Sequence, residues 1–323
     1  MKRGGFLIGI CAAMAATCCQ AVEHGVYVVT VPVADVRTAP GSVGVAGAHD
    51  EQQETQLLYG ETVRVLQWQD AWARIEAVEQ PEYTHHRRWE GYPGWVLRDL
   101  LQPLRSAHPT TGVIILKWAT VWRDPAGETA LTELPLGTKL FVTPAQQRLW
   151  QVRLVNGSDG WISPSALWLT AQLRRLSDAE RRQTIVQNAR QLLGDPYFWG
   201  GRSPSSSTTY AGVTGVDCSG LVNLAYRAAG IDIPRDAHEQ HLRAKSITTL
   251  QPADLLFLSK ANDPTMIVHV MLYAGNDQLI EGPGTGLTVR EISAIQRLGK
   301  PAQTLRSGDR VGNQTLYLGA YLQ

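Results

Sequence analysis

The residue with the most chemical promise is Cys218, which stands in the segment GVDCSGLV at positions 215–222. The other three cysteines, Cys11, Cys18 and Cys19, all lie in an N-terminal stretch that reads as an export leader. A single thiol in an exported chain has no disulfide partner and is open to oxidation, so its retention favours chemical use over packing. We therefore predict a cysteine nucleophile at position 218.

An apolar helical pattern follows Cys218 and ends at Gly230. Leu221, Leu224 and Ala225 recur at helical spacing and form its buried stripe. The thiol then lies at a helix N-terminus, where the macrodipole and the unpaired backbone N–H groups favour negative charge and can hold an oxyanion. The alternative, an inert buried cysteine, fits poorly with the turn-forming residues around it.

A thiol nucleophile needs a base, and the chain has three histidines beyond residue 108: His238, His241 and His269. His269 lies in VHVMLYAG at 268–275, which alternates like a strand and would hold the imidazole rigidly. His238 and His241 stand in what reads as an exposed turn or short helix. We interpret them as rim or surface residues and predict that His269 is the base.

The imidazole also needs a group that orients it. After a tight turn at 275–277, the strand QLIE would return beside the strand of His269, and alternation puts Glu281 on the same face. Its carboxylate can accept the imidazole N–H, so we predict Cys218, His269 and Glu281 as the catalytic set. The alternative for Glu281 is a solvent-exposed strand position.

The N-terminal half contains an imperfect repeat, and its residue pattern differs from that of the segment that carries Cys218, His269 and Glu281. The first copy reads GETVRVL, WARI and GWV between residues 60 and 96, and the second reads GTKLFV, WQVRL and GWI between 137 and 162. Alternation with period two at such spacing predicts two small β-barrels. Nine of the ten tryptophans precede residue 170, and we expect most of them in barrel cores and the rest along a groove.

A helix is predicted from Ser177 to about Leu193, with Ser177 and Glu180 as its capping box and Gly194 as its stop. Beyond it, five motifs together resemble the NlpC family of papain-like cell-wall peptidases over about residues 180–323. They are YFWGG at 197–201, DCSG at 217–220, PRD at 234–236, DL at 254–255 and HV at 269–270.

The resemblance implies an α+β fold class: a papain-like catalytic domain, with a helix-borne cysteine packed on an antiparallel sheet, preceded by two small SH3-like β-barrels. It implies that Cys218 is the nucleophile and His269 the base, and that Tyr197 contacts the oxyanion or the substrate. The third position of this family usually holds histidine, asparagine or glutamine, so Glu281 departs from the pattern.

Two SH3-like domains before such a catalytic domain are similar to a narrower group, the γ-D-glutamyl-L-diamino acid endopeptidases that act on murein peptides with a free N-terminus. In that group the first barrel supplies a tyrosine and an acid for the substrate's amine. By this resemblance we expect the tyrosine at Tyr92 and the acid at Glu54, with Glu51 as the alternative.

The same resemblance makes Asp217 and Ser219 contacts to the L-Ala–γ-D-Glu part of the substrate, while Ala237 stands where a serine contact is expected. The predicted organisation is a signal peptide over 1–21, SH3-like domains over 27–104 and 110–172, and a peptidase domain over 177–323. The predicted partners are peptidoglycan stem peptides or their fragments. Two alternatives remain open: an amidase or acyltransferase that uses the same thiol, and a non-catalytic wall-binding protein.

The leader consists of a short basic segment and about a dozen apolar residues, too short to span a bilayer comfortably. We expect cleavage after Ala21 and a periplasmic or extracellular location, with lipid anchoring through Cys18 as the alternative. The net charge of +1 predicts no general attraction to nucleic acid, and the basic cluster at 85–88 reads as a solvated loop. No cofactor and no metal are expected, since the exported part offers one cysteine and no helical His-x-x-x-His.

Overall fold

The computed structural model describes residues 25–41, 49–104, 109–206 and 214–323. The predicted leader, with its three cysteines, lies outside the described residues, so export and lipidation stay predictions. Within the described ranges, no helix has both the length and the apolar character that crossing a membrane requires.

The first unit is a seven-stranded antiparallel sheet with the order β3-β2-β6-β5-β4-β1-β7. Its strands are β1 Val26–Val29, β2 Val33–Arg37, β3 Gln53–Leu58, β4 Thr62–Gln69, β5 Trp72–Glu82, β6 Glu90–Leu97 and β7 Leu101–Pro103. Buried Val, Ile, Leu and Ala side chains form its own hydrophobic cluster.

The second unit repeats this topology, with the order β10-β9-β13-β12-β11-β8-β14. Its strands are β8 Gly112–Ile114, β9 Trp118–Trp122, β10 Ala130–Pro135, β11 Lys139–Thr143, β12 Trp150–Arg153, β13 Asp159–Ile162 and β14 Leu167–Leu169. Strand for strand the order matches that of the first unit, so the predicted internal repeat is confirmed.

The prediction that most tryptophans lie in the cores is wrong, because all ten are half-buried or exposed. On β5, Ala73 and Ile75 are fully buried, whereas Trp72 and Arg74 lie on the opposite face. Successive side chains of a strand point to opposite faces, and the small and branched residues take the inner one. Trp72 therefore lies on the outer face, while Trp68, Trp118 and Trp150 pack against the edges of the hydrophobic clusters.

The third unit combines helices with a second kind of antiparallel sheet. The helices are α1 Thr170–Leu173, α2 Asp178–Arg190, α3 Cys218–Ala228, α4 Ala237–Arg243 and α5 Ala294–Leu298. The strands are β15 Arg202–Ser203, β16 Gly215–Val216, β17 Lys245–Ser246, β18 Leu255–Lys260, β19 Asp263–Gly275, β20 Gln278–Glu281, β21 Arg290–Ser293, β22 Arg310–Val311 and β23 Gln314–Ala320. The central sheet has the order β17-β23-β18-β19-β20-β21, while β15 pairs with β16 and β22 with β23.

Helix α3 packs on β19, and both contribute side chains to one hydrophobic cluster. This is the predicted arrangement of a helix-borne cysteine on an antiparallel sheet. Helix α2 begins at the predicted capping box, where Ser177 and Glu180 cap each other, and it ends at Arg190, earlier than predicted.

Candidate active site

Cys218 is the first residue of α3, and it is buried, with 8% of its surface exposed. The preceding residue, Asp217, caps the helix by accepting a 2.6 Å hydrogen bond from the Gly220 N–H. The first turn of a helix has backbone N–H groups without intrahelical acceptors, and Cys218 begins that turn in α3. The sulfur therefore stands where a negative charge is favoured.

His269 and Glu281 lie on adjacent strands that a two-residue turn joins. Asn276 and Asp277 in this turn have φ of 50° and 64°, the left-handed backbone of the turn that matches the twist of a hairpin. The His269 Nε2 lies 2.8 Å from the Glu281 Oε2, which leaves Nδ1 for Cys218. Burial disfavours the imidazolium, but the hydrogen bonds to Cys218 and Glu281 raise the pKa of His269 to about 9.

Two arginines that sequence reasoning missed fix Glu281. Arg290 donates to its Oε1 at 3.1 and 2.7 Å, and Arg297 donates to Oε1 at 3.0 Å and to Oε2 at 2.9 Å. The carboxylate is fully buried. Burial alone would raise its pKa, but the hydrogen bond from His269 and the two guanidinium groups lower the pKa of Glu281 to about 2. Glu281 is therefore a fixed anion and a poor proton acceptor.

Tyr197 is buried beside the nucleophile, and its backbone pairs with that of Val216 in an isolated β-bridge. Burial, together with the negative charges at Asp217 and Cys218, raises the pKa of Tyr197 far above its usual range. Its phenol therefore keeps its proton and can donate a hydrogen bond.

Asp217 and Ser219 are joined in a buried network with Arg235. The Arg235 guanidinium donates to Asp217 Oδ2 at 2.7 Å and Oδ1 at 3.0 Å, and to Ser219 Oγ at 2.9 Å. The same guanidinium reaches into the first unit, where its Nε donates to Thr55 Oγ1 at 2.8 Å. Both predicted contact residues thus brace the start of α3 against the first unit, and their substrate contacts stay predictions.

A second cluster of polar side chains lies across the junction between the first and third units. The Tyr92 hydroxyl lies 3.2 Å from Glu54 Oε2 and 2.9 Å from Asp236 Oδ2. Of the two candidate acids it is Glu54 that contacts Tyr92, while Glu51 is exposed. Asp236 stands in the PRD motif, but sequence reasoning gave it no role; burial raises the pKa of Asp236 to about 7.

Residues 85–88 form an exposed turn, as predicted, and His85 in this turn contacts two carboxylates. Its Nδ1 lies 2.9 Å from Glu82 Oε2 and its Nε2 lies 3.6 Å from Glu54 Oε2. Nothing in the local pattern marks this position, because one of its two partners, Glu54, lies on the distant strand β3. His238 accepts a hydrogen bond at Nδ1 from the backbone N–H of Ile267.

The His241 ring contacts Phe257 edge-on and Tyr317 at a tilt, with ring centroids 5.2 and 5.0 Å away. Among the described residues, one group of side chains, Glu82, His86 and Glu90, has ligand-type atoms within 4.8 Å of one another. His86 and Arg88 already contact Glu90 there, and Arg88 supplies a positive charge beside it. The thiol chemistry requires no metal.

The comparisons with known proteins agree with this geometry. Residues 194–299 match the model of the NlpC/P60 family. The chain is 29% identical over 251 residues to the gamma-D-glutamyl-L-lysine dipeptidyl-peptidase of Bacillus subtilis strain 168, which covers 77% of this chain and 78% of that protein. The protein of the same name from Bacillus cereus ATCC 10987 is 27% identical over 237 residues, covering 71% and 67%.

Among solved structures, the fold is similar to the crystal structure of an NlpC/P60 family protein from Bacillus cereus ATCC 10987. The TM-score is 0.71 at 21% identity, and the match covers 93% of this chain and 100% of that chain. At this identity the likeness shows the fold alone.

Proposed function

This chain is a cysteine peptidase that carries an NlpC/P60 domain, and from that premise we propose that it hydrolyses the γ-D-glutamyl-L-diamino acid bond of murein peptides with a free N-terminal L-Ala. The observation that carries the proposal is the cluster of Glu54, Tyr92 and Asp236, whose hydrogen bonds lie across the junction between the first and third units. The names of the two dipeptidyl-peptidase relatives support the same bond class.

In the proposed reaction the Cys218 thiolate attacks the γ-carbonyl of D-Glu, and His269 holds the proton that the thiol gives up. The oxyanion forms beside the Cys218 N–H and the Tyr197 hydroxyl, both of which can donate to it. His269 then protonates the leaving amine of the diamino acid, which leaves a thioester on Cys218. His269 next activates water to hydrolyse the thioester, while Glu281 keeps the imidazole oriented.

The proposed specificity comes from this cluster of Glu54, Tyr92 and Asp236. A buried carboxylate that pairs with an ammonium group discriminates strongly, because a blocked amine leaves the acid without its partner. Glu54 and Asp236 would bind the α-ammonium group of L-Ala, with Tyr92 between them. Peptides whose N-terminus is still joined to glycan would be rejected.

We also propose that the two repeated sheets, over 27–104 and 110–172, are SH3-like domains. Their support is the shared order of seven short antiparallel strands, each set with its own cluster. Export by the 1–21 leader and action in the periplasm or outside the cell belong to the same proposal. The location of the proposed substrate, in the cell wall, supports both export and this site of action.

The test is incubation of the full chain with the tripeptide L-Ala-γ-D-Glu-diaminopimelate and with its N-acetylated form, followed by mass spectrometry. We expect L-Ala-γ-D-Glu and free diaminopimelate from the first peptide and at least about tenfold slower cleavage of the second. Cys218→Ala should abolish cleavage. Equal cleavage of both peptides would refute amine recognition, and full activity of Cys218→Ala would refute the nucleophile.

A further inference from the structure

A β-bulge lies in β19 directly before the base. On β18, Ser259 pairs with Ile267 and the residue before it pairs with His269, so Val268 is one residue too many for the ladder. Ile267 and Val270 are three positions apart, yet both are buried in the cluster that α3 shares with the sheet. Successive side chains of a regular strand point to opposite faces, so the bulge resets this alternation. The direction of His269 therefore depends on the conformation of the bulge.

The bulge is held from outside the sheet by His238. The backbone N–H of Ile267 donates to His238 Nδ1 at 3.2 Å. A ring nitrogen that accepts a hydrogen bond carries no proton, so this imidazole is neutral and carries its proton on Nε2. Ile267 is 4% exposed, and a buried backbone N–H without an acceptor is costly. The bulge therefore needs the acceptor that His238 supplies.

Helix α4 connects this bulge to the start of α3. His238 lies in the first turn of α4, and Gln240 on the same helix donates through Nε2 to the Ser219 carbonyl at 3.0 Å. Ser219 directly follows the nucleophile, and Ile267 lies two residues before the base. Gln240 is fully buried. The contacts of α4 thus reach both the segment that carries the thiol and the segment that carries the imidazole.

We propose that His238 is a positioning residue, which aims His269 at Cys218 by holding the bulge through the Ile267 N–H. The imidazolium stabilises the thiolate only while its ring stays within hydrogen-bond reach of Sγ. A misplacement of about 1 Å that originates far from the reacting atoms can cost about 100-fold in rate. In this role His238 acts through the backbone of β19 and exchanges no proton with the thiol.

The test is the rate at which iodoacetamide alkylates Cys218 in the full chain, measured by mass spectrometry of the peptide that carries this residue. Alkylation needs the thiolate but no substrate. His238→Leu removes the acceptor, so we expect about tenfold slower alkylation at about pH 7, where the thiolate depends on the imidazolium. At about pH 9.5 the rates should be equal, because a free thiol ionises by itself near that pH.

His238→Asn is the conservative variant, because its Oδ1 stands where the histidine has Nδ1 and can accept the same N–H. Its alkylation rate should stay within about twofold of the unmodified chain. His241→Leu is the matched control, since it makes the same change further along α4, at a ring that contacts Phe257 and Tyr317. It should leave the pH dependence unchanged. If His238→Leu does not fold, His238→Gln takes its place, because its oxygen lies one bond too far out.

An unchanged rate at about pH 7, an equal loss at both pH values, or an equal loss in His238→Asn or His241→Leu would overturn this role of His238. Alkylation involves no peptide, so its outcome is independent of the proposed bond specificity. Absence of tripeptide cleavage by the unmodified chain, with the effect of His238→Leu on alkylation intact, would refute the proposed hydrolysis alone.

Discussion

At the scale of single residues, the carboxylate of Glu281 contacts three cationic side chains. It accepts from His269 at 2.8 Å and from the guanidinium groups of Arg290 and Arg297. The arginines hold the carboxylate in place and also weaken its pull on the imidazolium. The position of His269 and the strength of its charge are thus set by different contacts.

Replacing Arg297 should separate these two effects. In Arg297→Gln, Arg290 still holds Glu281, but one positive charge near the imidazole is lost. The imidazolium of His269 is then favoured more, and its pKa rises further above about 9. The alkaline limb of kcat/KM, where the imidazolium loses its proton, should move up by about one pH unit.

Arg190→Gln is the control for Arg297→Gln, because Arg190 forms an exposed ion pair with Glu291 and does not contact Glu281. Its pH profile should match that of the unmodified chain. An alkaline limb that stays in place in Arg297→Gln, or moves to lower pH, would contradict this account of Glu281.

The residues whose roles could be predicted are those with a local signal. Cys218 precedes an apolar helical run, and His269 and Glu281 lie on strands joined by a short turn. Asp236 carries no such signal, because it contacts Tyr92, which is far away along the chain. His85 likewise meets Glu54 only after the turn that follows β5 has come next to β3.

At the scale of elements, the site depends on how closely β20 runs to the start of α3. A Cβ atom built on Gly282, directly after β20, would lie 3.4 Å from the Cys218 nitrogen and from the Asp217 carbonyl. This is an ordinary van der Waals contact, so the fold can accept it. The methyl group would, however, cover the N–H that we assign to the oxyanion.

Gly282→Ala should therefore lower kcat by about 100-fold, the typical effect of losing one oxyanion donor. The melting temperature should stay close to that of the unmodified chain. The rate at which iodoacetamide alkylates Cys218 is the internal control, because alkylation needs the thiolate but no oxyanion. An unchanged kcat, or an alkylation rate that falls as far as kcat does, would argue against an oxyanion site at Cys218.

The sequence pattern predicted the strands correctly but did not predict which face of each strand is buried. The period-two alternation identified the strands that carry Trp72 and Trp95, but alternation alone does not say which face is inner. The large size of tryptophan suggested the core. The closely spaced walls of a small sheet unit admit Ala73, Ile75 and Val96 instead.

At the scale of the whole molecule, buried charges join the first unit to the third. Glu61 is 1% exposed and forms ion pairs with Arg202 at 2.8 Å and with Arg227 at 3.1 Å. Arg227 has a second carboxylate at Glu79, but Arg202 has Glu61 alone as its ion-pair partner among the described residues. The motif pattern could not predict this junction, because each of its charges would read as a surface residue in its own segment.

Glu61→Gln keeps the size of this side chain and removes its charge, so it leaves the buried Arg202 without a counter-charge. Breaking a buried ion pair in this way costs about 3–5 kcal/mol, since the remaining charge is neither solvated nor paired. Urea titration followed by tryptophan fluorescence should show that loss in the free energy of unfolding. Glu291→Gln, which breaks the exposed pair with Arg190, should cost less than about 1 kcal/mol. If the two variants lose the same small amount, the junction is held by packing and neutral hydrogen bonds, and the charges of Glu61 and Arg202 do not fasten the first unit to the catalytic one.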